Sequence, residues 1–206
     1  MRYEYLLRDF NPSLPPNGYD DDGYDPQADS IIVIDTEINK IVGTYRIETL
    51  KTVNGRKFKD EREFNIDALK NCGYEILELG RAVVDTKYRN GVVIQLLWSG
   101  IWKYAIENNC RYIFGTCSLH GSDPSIYANL LCYLKKELLT DIDVYAIKSP
   151  FNYDYIDEYD IEKLPENYEK FINKYRFPII DYAYPNRLIL SIIKKQNDDL
   201  HEHYLG

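Results

Sequence analysis

Two charged residues, Glu78 and Arg81, stand three apart inside the otherwise apolar run from Ile76 to Val84. Charged groups in a buried strand must be paired or functional, because an isolated charge pays heavily for leaving water. A carboxyl in such surroundings has its pKa raised and can serve as a general base, and a guanidinium can hold an anion through charge-assisted hydrogen bonds. Strict alternation puts the two on opposite faces of a regular strand. A bulge near Gly80 would bring them onto one face, and bulges commonly re-aim side chains beside active sites. Spacing alone leaves a structural ion pair and a catalytic site both open.

Two further groups of residues could do chemistry. Tyr88-Arg89-Asn90-Gly91 directly precedes a helical pattern. A helix start offers unpaired N–H groups and a partial positive charge, so a phosphate could sit there beside Arg89. A strand-to-helix turn also uses Gly for purely local reasons, so this reading stays open. The loop acids Asp22 and Asp25, with Arg46 on a nearby strand, could hold an ammonium ion or could simply be solvated.

The elements that must position these residues follow from periodicity and punctuation. Residues 2 to 10 read as a short helix, and Asn11 to Asp29 as a Pro, Gly and Asp-rich loop that includes Asp20, Asp21, Asp22 and Asp25. Ile31 to Asp35 and Lys40 to Leu50 read as a strand hairpin, and residues 51 to 62 as a basic, turn-like segment. Phe64 to Asn71 is expected to form a short helix before the strand Tyr74 to Val84. Asp85 to Asn90 is a loop, Gly91 opens a helix to about Asn108, and Tyr112 to Gly115 is a buried strand. Asp123-Pro124 starts a helix to about Leu139, since Asp caps free N–H groups and Pro has none to leave unpaired. Val144 to Ile147, Pro178 to Tyr182 and Arg187 to Ile193 are strand candidates, and Leu164 to Lys174 a helix. Residues 152 to 169, with seven acids, read as a solvated insertion. The order predicts a mixed α/β (α+β) fold: one domain over 1–206, with a mixed central sheet and helices on both faces.

Composition excludes several classes. The chain has 206 residues, 25 Lys plus Arg and 33 Asp plus Glu, for a formal charge of −8. That argues against general binding of nucleic acid. A hydrophobic fraction of 45% and a charged fraction of 28% are those of a globular protein. Cys72, Cys110, Cys117 and Cys132 form no CxxC pair, and His120, His201 and His203 stand apart from them, so no metal is expected. Arg2, Glu4, Arg8 and Asp9 interrupt any signal-peptide pattern, and the apolar stretch Val92 to Trp102 is too short to span a bilayer. A cytoplasmic location is the expectation. The 20 Tyr receive no collective role.

Taken together, the charged positions and the stretches around them resemble the acyl-carrier-protein-dependent N-acyltransferases of the GNAT superfamily, in particular the ornithine N-acyltransferase and hemolysin-like group. Gly43-Thr44-Tyr45-Arg46, Glu78-Leu79-Gly80-Arg81, Tyr88-Arg89, Leu96 to Trp98 and Phe114-Gly115-Thr116-Cys117-Ser118 look like that group's sequence in order and spacing, over roughly residues 2 to 124. More distantly, Arg2, Asp22, Asp25, Arg46, Glu78 and Arg81 are similar to the charged signature of acyl-homoserine-lactone synthases. Three features depart from the pattern. Arg2 stands at the very start, so the chain reads as N-terminally short. Ser30 stands where the ornithine group usually has His. The region after Ser149 is shorter, with Phe177 to Ile193 similar to the group's final strands.

The resemblance implies transfer of a fatty acyl group from a carrier-protein thioester to the amine of an ornithine-like amino acid, giving an N-acyl amino acid or lipid precursor. Glu78 would take the amine's proton directly or through a water, with Arg81 beside it. Backbone N–H groups near Ala82 and Val83 would hold the oxyanion. Arg46 and Arg81 would bind the acceptor's carboxylate, Asp22 and Asp25 its ammonium or the Arg partners, and Arg2 and Ser118 would complete the acceptor side. The phosphopantetheine arm would lie along Val83, Val84 and Asp85, its phosphate near Arg89, Asn90 and Gly91. Val92 and Val93 follow Gly91, so the Gly-x-Gly of coenzyme A users is absent, which favours acyl carrier protein over acyl-CoA. A thiol with an ordinary pKa of about 8.5 leaves readily as thiolate, so no dedicated acid is required. No permanently bound cofactor is implied. The alternatives are an acyl-homoserine-lactone-type or other N-acyl amino acid synthase, and a non-catalytic GNAT-like binding module. The implied partners are acyl carrier protein and the amino-acid acceptor, with peripheral membrane contact through a lipid product. Residues 40–62 hold seven basic and three acidic groups, and residues 81–111 five and two, so two locally basic windows offer an acidic carrier a surface within an acidic chain.

Overall fold

A computed structural model describes residues 1–8, 11–16, 18–118, 128–138, 142, 144–147, 158, 160, 162, 179–184 and 187–193. After a helical turn at Tyr3–Leu7, the elements in chain order are β1 (Asp29–Asp35), β2 (Lys40–Thr49), α1 (Leu50–Val53), β3 (Phe64–Asn65), α2 (Asp67–Lys70), β4 (Glu75–Val84), α3 (Val92–Glu107), β5 (Cys110–Ser118), α4 (Ala128–Leu138), β6 (Tyr145–Ala146), β7 (Ile179–Tyr184) and β8 (Arg187–Ile193). The expected mixed α/β composition is present. The described residues fall into two compact units, one within residues 1–56 and 77–110, the other within residues 57–76 and 111–193.

The first unit is built on the expected hairpin. β1 pairs antiparallel with β2 from Asp29 opposite Ile47 to Asp35 opposite Lys40, and β2 pairs antiparallel with β4. From Gly43 to Glu48 the side chains alternate: Gly43 and Tyr45 face α3, so Thr44, Arg46 and Glu48 are on the other face. Val42, where the ladder with β1 skips from Gly43 to Ile41, also packs toward α3. On α3, Val93, Leu97, Ile101 and Ala105 recur every four residues and are buried, the spacing of one helical face. Val42, Val93 and Leu97 form a core cluster with Ile31, Val33, Tyr45 and Val84 against it. The Tyr45 and Trp98 rings meet edge to face at 6.1 Å.

The turn into α3 is locally encoded. Gly91 has φ +95°, a left-handed conformation that favours glycine, and the Val92 N–H donates to Asn90 Oδ1 at 3.1 Å. Asp85, fully buried, fixes the strand end. Its N–H donates to the Val42 carbonyl at 2.9 Å, and its carboxylate accepts from the Lys87 N–H at 3.0 Å and from Lys40 Nζ at 2.6 Å.

The second unit pairs β5 with β8 and β8 with β7, all antiparallel, and β3 with β6. Phe58 and Phe114 pack edge to face at 5.4 Å, and Thr116 Oγ1 donates to Asp60 Oδ1 at 3.2 Å. One expectation is corrected here. The helix read over Phe64 to Asn71 begins only at Asp67, because fully buried Phe64 and its neighbour Asn65 pair with Ala146 and Tyr145. Asn65 Oδ1 accepts the Asp67 N–H at 3.0 Å, which ends the strand and turns the chain into the helix. The expected strand Tyr112 to Gly115 is longer at both ends. The helix start at Asp123-Pro124, the helix over Leu164 to Lys174 and most of the acidic 152–169 segment lie outside the described residues; within that segment Glu158, Asp160 and Glu162 are exposed. Among the described residues no helix is long and apolar enough to cross a membrane.

The sheet-to-helix contact depends on small residues. A Cβ at Gly43 would stand 2.5 Å from Val93 Cγ1 and 3.2 Å from Leu97 Cδ1, and Val93 has no rotatable tip to withdraw. Gly43→Ala is therefore expected to destabilise the protein by about 1–3 kcal/mol, read as a lower urea midpoint at unchanged m-value. A loss below about 0.5 kcal/mol, the scale of an ordinary surface change, would contradict the packing.

Candidate active site

β4 departs from regular pairing with β2 at one place. Thr44 is opposite Val83 and Arg46 opposite Gly80, so Tyr45 alone faces both Arg81 and Ala82. This is a β-bulge, and Arg81 occupies it with φ +54°. A left-handed conformation costs a non-glycine residue about 1–2 kcal/mol, so the surroundings must hold it. The bulge foreseen near Gly80 is present, and its result is visible in the ion pairs. Arg81 Nε lies 3.0 Å from Asp20 Oδ2, and Arg81 Nη2 lies 3.0 Å from Asp22 Oδ2. Asp22 Oδ1 in turn accepts from Arg46 Nη1 at 2.6 Å. Arg46 and Arg81 thus share one carboxylate, although a regular strand would direct Arg81 away from the face of Arg46 and Glu78.

Arg2 closes the network from the N-terminal helical turn. Its Nη1 donates to Asp25 Oδ1 at 2.7 Å, its Nη2 to the Asp20 carbonyl at 2.8 Å, and its Nε lies 3.1 Å from Asp20 Oδ2. Asp25 Oδ1 also accepts from Arg46 Nη1 at 3.3 Å. Three arginines and three aspartates therefore alternate. The acidic loop is folded rather than merely solvated: the Gly23 N–H donates to Asp21 Oδ1 at 2.9 Å, the Tyr24 N–H to Asp22 Oδ1 at 3.3 Å, and Asp25–Gln27 forms a 3-10 turn with Pro26 at its start. Tyr24 is buried beneath the cations, its ring centroid 5.3 Å from the Arg46 guanidinium carbon and 4.4 Å from that of Arg56.

The electrostatics follow the contacts. Burial pushes the Asp22 carboxyl up, but the hydrogen bond and charge of Arg46, with the charge of Arg81, outweigh it and hold Asp22 down at about 2. Asp25 is lowered, chiefly by its hydrogen bond to Arg2. Burial would ease the proton off Arg46, which is 2% exposed, yet Asp22 and Asp25 more than offset this and keep it cationic. Among the described residues, buried Arg46 Nη2 has no hydrogen-bond partner; it lies over Gly80, 3.7 Å from where a Cβ would stand. Next to Gly80 on the same face of β4 is buried Glu78.

The structure thus groups Arg2, Asp22, Asp25, Arg46 and Arg81 around the face that carries Glu78. It adds Asp20, Tyr24, Glu48 and Arg56, which sequence reasoning did not single out. Glu48 stands two residues from Arg46 on the same strand, so period 2 placed it on that face; Asp20 was masked by its position in a run of three aspartates. Ser30, at the position where the resemblance expects His, pairs with Arg46 in the β1–β2 ladder. Of the residues expected along a pantetheine arm, Ala82 is in the bulge, Val83 is buried, and Asp85 is committed to Lys40 and Lys87. Arg89 Nε donates to the Val84 carbonyl at 3.1 Å and its Nη2 to the Tyr5 carbonyl at 3.2 Å. Ser118 is the last residue of β5, opposite Arg187, in the second unit.

Residues 1–99 match the family described as the acetyltransferase (GNAT) domain, and the ion-paired cluster and Glu78 lie within the matched residues. The curated relatives are narrower in kind. The chain is 31% identical over 178 residues to an L-ornithine N(alpha)-acyltransferase of Agrobacterium fabrum and 30% identical over 158 residues to one of Brucella abortus, matches covering 80% and 73% of this chain. It spans 60% and 51% of those proteins' lengths. Among solved structures, an N-acyl amino acid synthase from uncultured soil microbes aligns over 82% of this chain and 68% of its own, at 11% identity and a TM-score of 0.44. The GNAT resemblance read from the charged motifs agrees with these matches.

The cluster predicts an acid sensitivity whose direction is fixed. Asp22 titrates near 2 in the folded protein and near 3.8 ordinarily, so its stabilisation is complete above about pH 4 and is lost as the pH falls through 2. Urea midpoints between pH 5 and pH 2 should fall for the native protein. Asp22→Asn should begin lower at pH 5 and fall less; parallel curves would contradict the assigned pairing.

Proposed function

We propose that this chain is an N-acyltransferase that moves a fatty acyl group from an acyl thioester to the amine of an ornithine-like amino acid, forming an N-acyl amino acid. The observation that carries the reading is the bulge at Arg81 and Ala82, which joins Arg81 to the carboxylate held by Arg46 on the face of Glu78. The names of the curated relatives support the same chemistry.

An amine attacks only when neutral. Glu78 accepts the proton of the acceptor's ammonium, directly or through one water, and the electron pair left on nitrogen attacks the thioester carbonyl. The C–N bond forms, negative charge develops on the carbonyl oxygen, and backbone N–H groups at Ala82 and Val83 stabilise it. The C–S bond then breaks and the sulfur departs as thiolate, which takes up the second nitrogen proton as the amide forms, while the proton held by Glu78 is released to solvent. Arg46 binds the acceptor's carboxylate through Nη2, with Arg81 beside it, while Asp22, Asp25 and Arg2 keep both guanidiniums in place.

The donor is read as acyl carrier protein. Two observations support this: Val92 and Val93 stand where a coenzyme A user has its glycine-rich turn, and Lys51, Lys87, Arg89 and Lys103 are exposed in an otherwise acidic chain. Arg46, Arg56, Arg81 and Lys40 from the same basic windows are committed to internal ion pairs, so the carrier-facing charge is smaller than the sequence count suggests. The product is amphipathic, and a cytoplasmic enzyme meeting the membrane only through that product is the matching location.

Glu78→Gln is expected to leave folding intact and to lower turnover of long-chain acyl carrier protein with ornithine by about 100-fold or more. Retention of full activity would overturn the role of Glu78. Parallel assays with acyl-CoA decide the donor: comparable kcat/KM for both thioesters would remove the preference for the carrier protein.

A further inference from the structure

The β2–β4 ladder sets two acidic residues directly against each other, since Glu48 and Glu78 are Cα partners. Partners in an antiparallel pair share a face, with Cβ atoms about 4.5–5.5 Å apart, and like charges there are destabilising. Here both are buried, Glu48 at 1% exposure and Glu78 at 4%. A buried acidic pair is retained only with compensation or a use.

Part of the compensation is Arg56. Arg56 Nη2 donates to Glu48 Oε1, and buried Glu48 Oε2 has no hydrogen-bond partner among the described residues. Arg56 is fixed for this contact by three local devices. Thr49 and Thr52 cap α1 reciprocally, the Arg56 N–H donates to the Val53 carbonyl at 2.8 Å, and Arg56 Nε donates to Gln27 Oε1 at 2.9 Å. On this side of the sheet, among the described residues, Arg46 from β2 is held by Asp22 and Asp25, and Arg56 from the turn after α1 is paired to Glu48. Tyr24 lies beneath both guanidiniums.

We propose that Glu48, ion-paired to Arg56, is a positioning residue for the base: it presents a negative charge to Glu78 and strengthens Glu78 as a proton acceptor. This rests on the reading of Glu78 as the group that deprotonates the acceptor amine. The proton balance is unchanged. One ammonium proton joins Glu78 and passes to solvent, the second leaves nitrogen with the departing thiolate, and Glu48 exchanges none.

The test is the acid limb of kcat/KM for acyl thioester and amino acid, measured against pH for two variants that disturb opposite charges. Glu48→Gln removes the carboxylate opposite Glu78, so the limb should move to lower pH by about one unit, a tenfold loss of proton affinity. Arg56→Gln leaves Glu48 unopposed, and the limb should move to higher pH. Damage to packing alone lowers the rate without displacing the limb in opposite directions. If Glu48→Gln fails to fold, the upward shift in Arg56→Gln still decides. Unmoved limbs, or shifts of the same sign, overturn the proposal. Glu78→Gln in the same series separates the two readings: if it stays active, the base assignment fails, whereas an inactive Glu78→Gln with unmoved limbs in the other two refutes only the role of Glu48.

Discussion

The first unit is organised around the burial of Arg46. A guanidinium that is 2% exposed cannot lose its proton to escape the cost of leaving water, so carboxylates must be brought to it. The chain does this by folding an acidic loop onto the sheet, where Asp22 and Asp25 reach Arg46 while Asp20 and Asp25 are held by Arg2. Removing one member of such a network leaves the others buried and uncompensated, at a typical cost of about 3–5 kcal/mol. A hydrophobic cluster of similar volume could be as stable. What the ionic network adds is direction, since each planar guanidinium accepts partners along fixed axes.

That directionality connects the loop to the bulge. Arg81 holds a left-handed backbone conformation, and its side chain is fixed at its far end by Asp20 and Asp22. The same two aspartates orient Arg2 and Arg46. A local irregularity in β4, the conformation of a loop some sixty residues earlier and the N-terminal helical turn are therefore one mechanical unit. Glu78 sits beside it in the regular part of the strand, where its position is set by the β2 ladder. On the proposed reading the separation is chemically sensible: the ion-paired network would orient the acceptor through Arg46 Nη2, while Glu78, as base, would keep an electrostatic setting of its own through its neighbours.

Much of this was legible in the sequence, for identifiable reasons. The hairpin, β4 and α3 announce themselves by alternation, by an apolar run interrupted by Glu78 and Arg81, and by Gly91 before a four-residue apolar repeat. The bulge could be foreseen conditionally, because two charges three apart in a buried strand demand an irregularity or a partner on each face. Less legible were residues whose meaning depends on register. Glu48 reads as an ordinary polar residue until the ladder sets it against Glu78, and Arg56 reads as one of several basic turn residues until the capped turn of α1 aims it at Glu48. Phe64 was misread because the strand that pairs with it lies some eighty residues later, and no local pattern carries that information.

The claim on which the rest depends is amide formation between an acyl thioester and an amino acid. Its most direct measurement is mass analysis of the products formed when the protein is incubated with mixed acyl carrier thioesters and amino acids, ornithine among them. The account predicts a new species whose mass is that of acceptor plus acyl group less one hydrogen, appearing as free carrier thiol is released. Binding of the thioesters with no new amide for any acceptor, or their conversion only to free fatty acid, would contradict it.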